Sequence, residues 1–247
     1  MNGMIFAAGL GTRLAPLTQT KPKALVELCG KPLLQRAIDH LAEAGVDFIV
    51  VNVHHFAEQV MEFIDDNRWR WRATIVTSDE RNQLLDTGGG LIKALPLFPD
   101  GGPIVIGNAD VASNAPLSDL IAAHKRNGWD ATLMTSPRHS TRHLLFGEDN
   151  LLCGWEDVKN NKTRIATTST PIWREAFNGF HVVEQRLVKS FGEARPLPIM
   201  EAYLDHAQDF AIGRHPVAAG RYWFDVGTVD KLAIAERELS NSEHREN

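Results

Sequence analysis

The chain has 247 residues, which fits one large domain or a core with one inserted subdomain. Apolar residues make up 43% and charged residues 23%, values that exclude wholesale disorder and fibrous folds. With 26 Lys and Arg against 31 Asp and Glu, the net charge is −5, so the chain is not built to coat nucleic acid by charge. No apolar run approaches a membrane span, no signal-peptide pattern opens the chain, and Cys29 and Cys153 match no metal or redox motif. We therefore expect a cytoplasmic protein that binds neither nucleic acid nor membrane.

The first half of the chain alternates short apolar runs with segments of helical spacing. The runs lack polar alternation, which is typical of strands buried on both faces. This order predicts an α/β fold, a Rossmann-like and mainly parallel sheet flanked by helices. A basic segment at 68–72 alternates like an exposed surface strand. The expected strands are 4–8, 48–53, 73–76, 104–106 and 131–134, and the expected helices are 33–41, 57–64, 91–95 and 117–124.

The second half is less regular. We expect one domain over 1–240, a small inserted lid or subdomain at 138–173, and a frayed tail at 241–247. The expected strands here are 143–146, 151–155, 163–166, 180–183, 210–212 and 222–224, and the expected helices are 188–191, 199–206 and 229–238.

A glycine-containing loop follows the first expected strand. Gly9 and Gly11 allow backbone N–H groups to approach an anion closely, and Arg13 adds a planar fork for phosphate. Lys23, held behind Pro22, is a compact positive charge nearby. For the two glycines alone, a flexible turn after a strand is the simpler interpretation. For Lys23 alone, a solvated basic turn is the alternative.

Three further segments fall where expected strands end. Residues 86–90, Asp-Thr-Gly-Gly-Gly, open a helix and are expected to expose bare backbone to a planar base. Asp110 and Asp225 each follow a strand, where carboxylates near phosphates usually hold magnesium. The alternative is that both aspartates cap the next helix or turn.

The order of these motifs resembles the sugar-1-phosphate nucleotidyltransferase family. The family pattern A-A-G-x-G-T/S-R followed by P-K-x-L reads here as residues 7–13 and 22–25. The resemblance continues through 85–90, Asp110, Asn178-Gly179 and 225–228. The short chain is most similar to N-acetylmuramate-1-phosphate uridylyltransferases and to small mannose- or heptose-1-phosphate guanylyltransferases.

The resemblance implies that 1–240 form a single nucleotidyltransferase domain, that the insertion at 138–173 is a lid or sugar-binding subdomain, and that each matching residue has a role. Arg13 and Lys23 would be catalytic, Asp110 and Asp225 would hold Mg²⁺, and Arg142 is the candidate for a sugar-site charge. The remaining implied contacts are Gly9, Gly11 and Thr12 with the triphosphate, Gln83, Gly88 and Gly89 with the base, and Asn178 and Gly179 with the sugar.

The implied reaction joins a nucleoside triphosphate to a sugar-1-phosphate and releases pyrophosphate, with the chain acting as a monomer or homodimer. UTP with N-acetylmuramate-1-phosphate is the preferred pair, and GTP with mannose- or heptose-1-phosphate is the alternative. Two other classes remain open: a non-catalytic regulatory subunit on the same fold, and a nucleotide-sugar-using glycosyltransferase.

Overall fold

The computed structural model describes residues 1–99 and 101–243. Most of its strands belong to one large mixed sheet, and two short ribbons stand beside it. The strands are β1 (Asn2–Phe6), β2 (Glu27–Leu28), β3 (Lys31–Pro32), β4 (Phe48–Val53), β5 (Thr74–Asp79), β6 (Ile104–Asn108), β7 (Val111–Ser113), β8 (Ala131–Ser136), β9 (Arg142–Phe146), β10 (Leu152–Asp157), β11 (Lys162–Ile165), β12 (Trp173–Val183), β13 (Ile212–Pro216) and β14 (Trp223–Asp225).

The centre of the large sheet is parallel. β6, β1, β4 and β5 lie side by side in that order and run in the same direction. β12 then pairs antiparallel with β6, β8 and β9, and the sheet continues through β10 to β11. The prediction of an α/β fold is confirmed, with a parallel core that is extended by antiparallel strands.

Helices cover both faces of this sheet. None of those in the described part of the chain is long and apolar enough to cross a membrane. The helices are α1 (Leu33–Glu43), α2 (Ala57–Asn67), α3 (Asp86–Ala94), α4 (Leu117–Asn127), α5 (Gln185–Ser190), α6 (Ile199–His206) and α7 (Val229–Glu243).

The apolar runs form strands because successive side chains enter different cores. Ile5 and Val51 pack with α1, α2 and α4, whereas their neighbours Met4 and Val50 pack with α3, α5 and α6. All four side chains are fully buried. A strand covered on both faces needs no polar alternation, and this explains the unbroken runs in the sequence.

The prediction of a surface strand at 68–72 differs from the structure. The segment expected as a surface strand at 68–72 begins as a 3-10 turn, Arg68–Arg70, directly after α2. Side chains three residues apart hold this turn: Arg68 bonds Asp65 and Arg70 bonds Asn67. Local hydrogen bonding of helical spacing thus outweighs the alternation of charge and aromatic residues.

The segment predicted as a lid contains β9, β10 and β11. It joins the main sheet through the pairing of β9 with β12. The strand β12 begins at Trp173 and is therefore longer than the expected strand at 180–183. At the other end of the chain, residues 241–243 extend α7 rather than forming a separate tail. The rest of the expected tail, 244–247, lies outside the described residues.

One histidine is buried in the core without polar contacts. His181 of β12 is 1% exposed, and its ring lies 5.6 Å from the ring centroids of both Phe177 and Tyr203. Neither of its ring nitrogens has a hydrogen-bond partner among the described residues. Burial lowers the pKa of His181 to about 3, so the folded protein holds this ring neutral.

We predict that His181 makes the fold sensitive to acid. Below pH 6.5 the unfolded chain protonates this ring and the folded chain does not, so stability is lost as pH falls toward 3. At pH 5 the loss from this group is about 2 kcal/mol relative to pH 7.5. Urea unfolding of wild type and His181→Leu at both pH values measures it, because the variant lacks this contribution. Equal losses in the two proteins would contradict the assignment.

Candidate active site

A cavity of about 530 Å³ opens where the parallel strands end. This is the edge at which α/β sheets bind their ligands. Segments that are far apart in the sequence meet here because the carboxyl ends of β1, β4 and β6 are adjacent. The cavity is lined by Phe6, Ala7, Ala8, Gly9, Lys23, Ala24, Asn52, Leu84, Asp86, Thr87, Asn108, Ala109, Asp110 and Pro196.

The loop after β1 forms one wall of this cavity. Gly9 lines it, and a Cβ placed on this residue would meet no atom within 4 Å. Gly11 serves a different purpose: its φ is +68°, and a Cβ would lie 3.0 Å from the Cβ of Lys23. Gly11 therefore lets the loop pack closely on Lys23. Thr12 starts an exposed 3-10 turn that carries Arg13.

The charged residues expected from the sequence come together beside Gly227. A Cβ built on this glycine would lie 2.8 Å from Asp225 Oδ1, 3.2 Å from Arg13 Nη2 and 3.5 Å from Lys23 Nζ. Lys23 also forms an ion pair with Asp110. Two cations and two carboxylates from three separate parts of the chain therefore meet at one corner of the cavity, which Lys23 and Asp110 line.

A short ribbon joins the two aspartates. In the antiparallel pair of β7 and β14, Asp225 lies opposite Val111, and Val226 donates its N–H to the carbonyl of Asp110 at 2.9 Å. Burial alone raises the pKa of Asp225, but hydrogen bonds from Lys231 and Gly227 and the charges of Lys231 and Lys23 outweigh it. The net pKa of Asp225 lies below its ordinary range, so it is a carboxylate at neutral pH.

The donor set at this corner suits magnesium better than zinc. Among the described residues no group of three or more His, Cys, Asp or Glu side chains converges on one point. Two carboxylates, Asp110 and Asp225, are nevertheless close through the ribbon. Mg²⁺ takes one or two protein carboxylates and fills its other positions with water and phosphate oxygens. The residues present therefore fit a magnesium ion that is shared with a phosphorylated ligand.

A buried hydrogen-bond chain ties the cavity walls together. Asn52 Oδ1 accepts the N–H of Ala7 at 2.7 Å, and Asn52 Nδ2 donates to Glu80 Oε1 at 2.8 Å. Glu80 Oε2 accepts the N–H of Leu85 at 3.1 Å. The sequence analysis missed Asn52 and Glu80. A signal was available in the single polar residue that interrupts the apolar run of β4.

The expectation that Gly88 and Gly89 expose bare backbone is wrong. Both residues lie inside α3, are buried, and donate their N–H groups to the carbonyl of Leu197 at 2.7 and 3.1 Å. A Cβ on Gly89 would lie 1.9 Å from the carbonyl oxygen of Arg195. Because neither glycine has a side chain, the chain before α6 can pack directly against the backbone of α3. Gln83 is exposed beside the cavity wall that Leu84 forms.

The expected sugar-site residues divide into two groups. Asn178 is 2% exposed, and its Oδ1 accepts hydrogen bonds from Ser136 and Arg138 at 3.0 and 3.3 Å. Gly179, with φ of +83°, packs against Val111. That Asn178 and Gly179 border a sugar stays a prediction, since the structure assigns them packing roles.

Arg142 faces a second cavity of about 570 Å³, which shares Thr87 with the first. This cavity lies between β9–β11 and the start of α6. Its lining consists of Thr87, Arg138, Ser140, Arg142, His143, Leu144, Trp155, Arg164, Phe177, Pro198, Ile199, Met200, Glu201 and Leu204.

We predict that substitution by alanine destabilises the protein at Gly89 but not at Gly9. Gly89→Ala forces a Cβ into the Arg195 carbonyl and should destabilise the protein by about 3 kcal/mol, lowering Tm by roughly 6–12 °C. Gly9→Ala is the matched control, because its Cβ has open space and its φ is not positive. Thermal unfolding followed by circular dichroism measures both. A Gly89→Ala protein as stable as Gly9→Ala would refute the packing role.

Three comparisons bear on identity. The Nucleotidyl transferase family model matches residues 2–148. The chain is 39% identical over 250 residues to an N-acetylmuramate alpha-1-phosphate uridylyltransferase from Caulobacter vibrioides, covering 97% of both chains. It is also similar to a probable mannose-1-phosphate guanylyltransferase 3 from Oryza sativa subsp. japonica, 36% identical over 55% of this chain and 38% of that protein.

The fold has a solved counterpart as well. A putative glucose-1-phosphate thymidylyltransferase from Bacillus anthracis superposes with a TM-score of 0.81, covering 96% of this chain and 94% of the other at 15% identity. At that identity the match supports the fold alone. The family model and the near full-length relative carry the assignment: this chain belongs to the nucleotidyl transferase family, among its sugar-1-phosphate nucleotidyltransferases.

Proposed function

We propose that the protein transfers UMP from UTP to N-acetylmuramate-1-phosphate and releases pyrophosphate, a cell-envelope precursor reaction. The observation that carries the proposal is the convergence of Arg13, Lys23 and Asp225 around Gly227, with Asp110 paired to Lys23. The choice of UTP and N-acetylmuramate follows the Caulobacter relative, which this chain matches over 97% of its length.

The arrangement answers the main obstacle of this chemistry, which is repulsion between two anions. The attacking sugar-phosphate oxygen is already ionised at pH 7, so the reaction needs no strong base. It needs the two phosphates to be brought together in line and their charge balanced. Lys23 Nζ lies at the cavity wall and Arg13 Nη2 lies beside Gly227, where both can donate to phosphate oxygens. Charge balance built in before the substrates arrive lowers the barrier without reorganisation.

Asp110 and Asp225 would hold the magnesium ion. When bound, Mg²⁺ supplies a Lewis acid that polarises phosphoryl oxygens and spreads their charge. In the structure each carboxylate already has a lysine partner, Lys23 for Asp110 and Lys231 for Asp225. The Lys231 contact helps to lower the pKa of Asp225, and an ionised carboxylate is a ligand that a hard cation prefers.

The rest of the proposal assigns the cavity walls. Gly9, Gly11 and Thr12 place the first loop around the triphosphate. The base would lie along Leu84–Thr87, with Gln83 at its edge, because the amides of Gly88 and Gly89 are used elsewhere. The second cavity takes the sugar, with residues 138–173 acting as its cover. Asn178 and Gly179 lie behind the wall of the second cavity, where Asn178 accepts a hydrogen bond from Arg138.

The main alternative keeps the chemistry and changes the substrates to GTP with mannose- or heptose-1-phosphate. The partial similarity to mannose-1-phosphate guanylyltransferases favours it over other pairs, although it covers 55% of this chain. A cytoplasmic location is part of the proposal, consistent with two free cysteines, Cys29 and Cys153. A monomer or homodimer is proposed for the same enzyme.

Pyrophosphate release identifies both substrates. We expect UTP with N-acetylmuramate-1-phosphate and Mg²⁺ to give the highest kcat/KM in a grid of UTP, GTP, CTP and dTTP against sugar-1-phosphates. UTP should also raise Tm more than the other nucleotides, because a ligand bound only by the folded state stabilises it. The best rate with GTP and mannose-1-phosphate would favour the alternative. No pyrophosphate with any pair would favour a non-catalytic subunit.

We predict that Lys23→Ala and Asp110→Asn each lower kcat by roughly a hundredfold or more, as when one preorganised charge is lost at a phosphoryl centre. Lys31→Ala is the matched control, since it removes another lysine–aspartate ion pair, with Asp39, outside the cavity. Steady-state pyrophosphate release on the folded variants measures the effect. Wild-type turnover in Lys23→Ala would remove this lysine from the mechanism.

A further inference from the structure

The second cavity is a basic pocket in an acidic chain. Three arginines line it, Arg138, Arg142 and Arg164, and the only acidic side chain in its described lining is Glu201. The chain as a whole carries a charge of −5, so this local excess of positive charge is a feature of the pocket and not of the surface in general. Apart from its phosphate, a sugar-1-phosphate without an acidic substituent has no anionic group to balance this positive charge.

The arginines occupy different ends of the pocket. Arg138 stacks on Trp223 with its guanidinium carbon 3.6 Å from the ring centroid, and donates to the carbonyl of Phe177 at 2.8 Å. It is close enough to Asp225 for that carboxylate to act on its pKa, although burial is the larger effect and lowers it. Arg138 therefore lies at the inner end, toward the phosphates. Arg142 and Arg164 are left for another anion.

Arg142 and Arg164 lie on one face of the three-strand sheet. Trp155 of β10 is registered with Leu144 on one side and Arg164 on the other. Arg142 is two residues from Leu144, so its side chain leaves from the same face. The spacing of strands and residues puts the two arginine Cα atoms about 12 Å apart, a gap that two such side chains span when they share one anion.

Both arginines can take a further partner. Arg142 uses Nε on Asp157 at 3.2 Å, and Arg164 uses Nη2 on Asp205. A guanidinium carries five N–H donors, so each of these contacts leaves donors in the fork. The pair of Arg164 with Asp205 is exposed, 42% and 51%, and pairs of this kind are weak enough to exchange for a ligand.

His143 lies between Arg142 and Leu144 in β9 and is registered with Glu156, so its side chain leaves from the face opposite the two arginines. Burial lowers the pKa of this ring most, and the charges of Arg174, Arg138 and His139 lower it further. Its Nδ1 lies 3.4 Å from Glu156 Oε1, outside hydrogen-bond geometry, and has no hydrogen-bond partner among the described residues.

From this placement we propose that Arg142 and Arg164 bind a carboxylate on the acceptor sugar and select acidic over neutral sugar-1-phosphates. The inference rests on the proposed function, in which the acceptor is N-acetylmuramate-1-phosphate, a hexosamine whose lactyl ether ends in a carboxylate. The two arginines supply the paired donors that a carboxylate accepts. The apolar part of the pocket, with Leu144, Trp155 and Met200, suits the lactyl and acetyl methyl groups.

The sharpest test compares an acid with its amide. N-acetylmuramate-1-phosphate and the analogue in which the lactyl carboxylate is a carboxamide have almost the same shape and differ in charge. We expect the full-length wild-type enzyme to prefer the acid in kcat/KM by roughly tenfold to hundredfold. This comparison needs no variant and is therefore independent of folding.

Arginine variants then assign the preference. Arg142→Gln and Arg164→Gln should each raise KM for the acid, and the double variant should use acid and amide equally. Against the amide, the same variants should lose far less kcat/KM than they lose against the acid, because the amide carries no charge for the arginines to bind. Arg174→Gln is the matched control, because Arg174 pairs with Glu156 on the neighbouring strand and does not line the pocket.

Each result decides something. A variant that loses acid and amide activity equally would show a structural role and overturn the inference, as would a double variant that still prefers the acid. A wild type that uses N-acetylmuramate-1-phosphate but does not prefer it to the amide overturns the inference alone. A wild type active only with neutral sugar-1-phosphates overturns both the inference and the proposed function.

Discussion

The cleft depends on one buried carboxylate, Glu80. It has no exposed surface, and burial raises its pKa, while hydrogen bonds from Asn52 and Leu85 oppose that shift. Through Asn52 it reaches the backbone of Ala7 at the end of β1, and through Leu85 it reaches the start of α3. Removing its side chain would leave two buried donors unpaired, at about 1–3 kcal/mol each. A residue that does not line the cavity thus helps to hold two of its walls at a fixed distance. Gly90 confirms how closely the parts fit, since a Cβ there would lie 2.6 Å from Glu80 Oε1.

A second constraint brings together the charged residues at the corner of the cavity, Arg13, Lys23, Asp110 and Asp225. Asp110 lies just beyond the end of β6, after Ala109, but Asp225 reaches it only because β14 pairs with β7. That pairing joins segments more than a hundred residues apart. Each aspartate also has a lysine partner, Lys23 for Asp110 and Lys231 for Asp225, so the corner holds balanced charges before any ligand binds. Paired charges at a partly buried site are held in one geometry more firmly than free ones. This is the condition for electrostatic catalysis of phosphoryl transfer.

The sequence was informative wherever a local pattern determines the structure. The strand at 48–53 and the helix at 199–206 are predicted with the bounds that the structure shows, because a largely apolar run and a helical period need no distant partner. The meeting of Arg13, Lys23, Asp110 and Asp225 followed from the position of each residue at or near a strand end. The role of Gly89 could not be predicted in this way. It depends on the backbone of Arg195, and no local signal reveals contact across more than a hundred residues.

The two cavities form one site because a single segment shapes both. Thr87 lines each of them, and its Oγ1 accepts the N–H of Ile199 at the start of α6 at 2.9 Å. Leu197, just before α6, donates to the carbonyl of Leu85 and accepts from Gly88. The helix that walls the second cavity is therefore bonded to the helix start that walls the first. In-line transfer requires donor and acceptor to be aligned closely, and misplacement by a fraction of a bond length is costly. In the proposed reaction, a common hydrogen-bonded wall would fix that alignment in the fold itself. Gly88 and Gly89 allow this wall, because a side chain on either would collide with the backbone before α6.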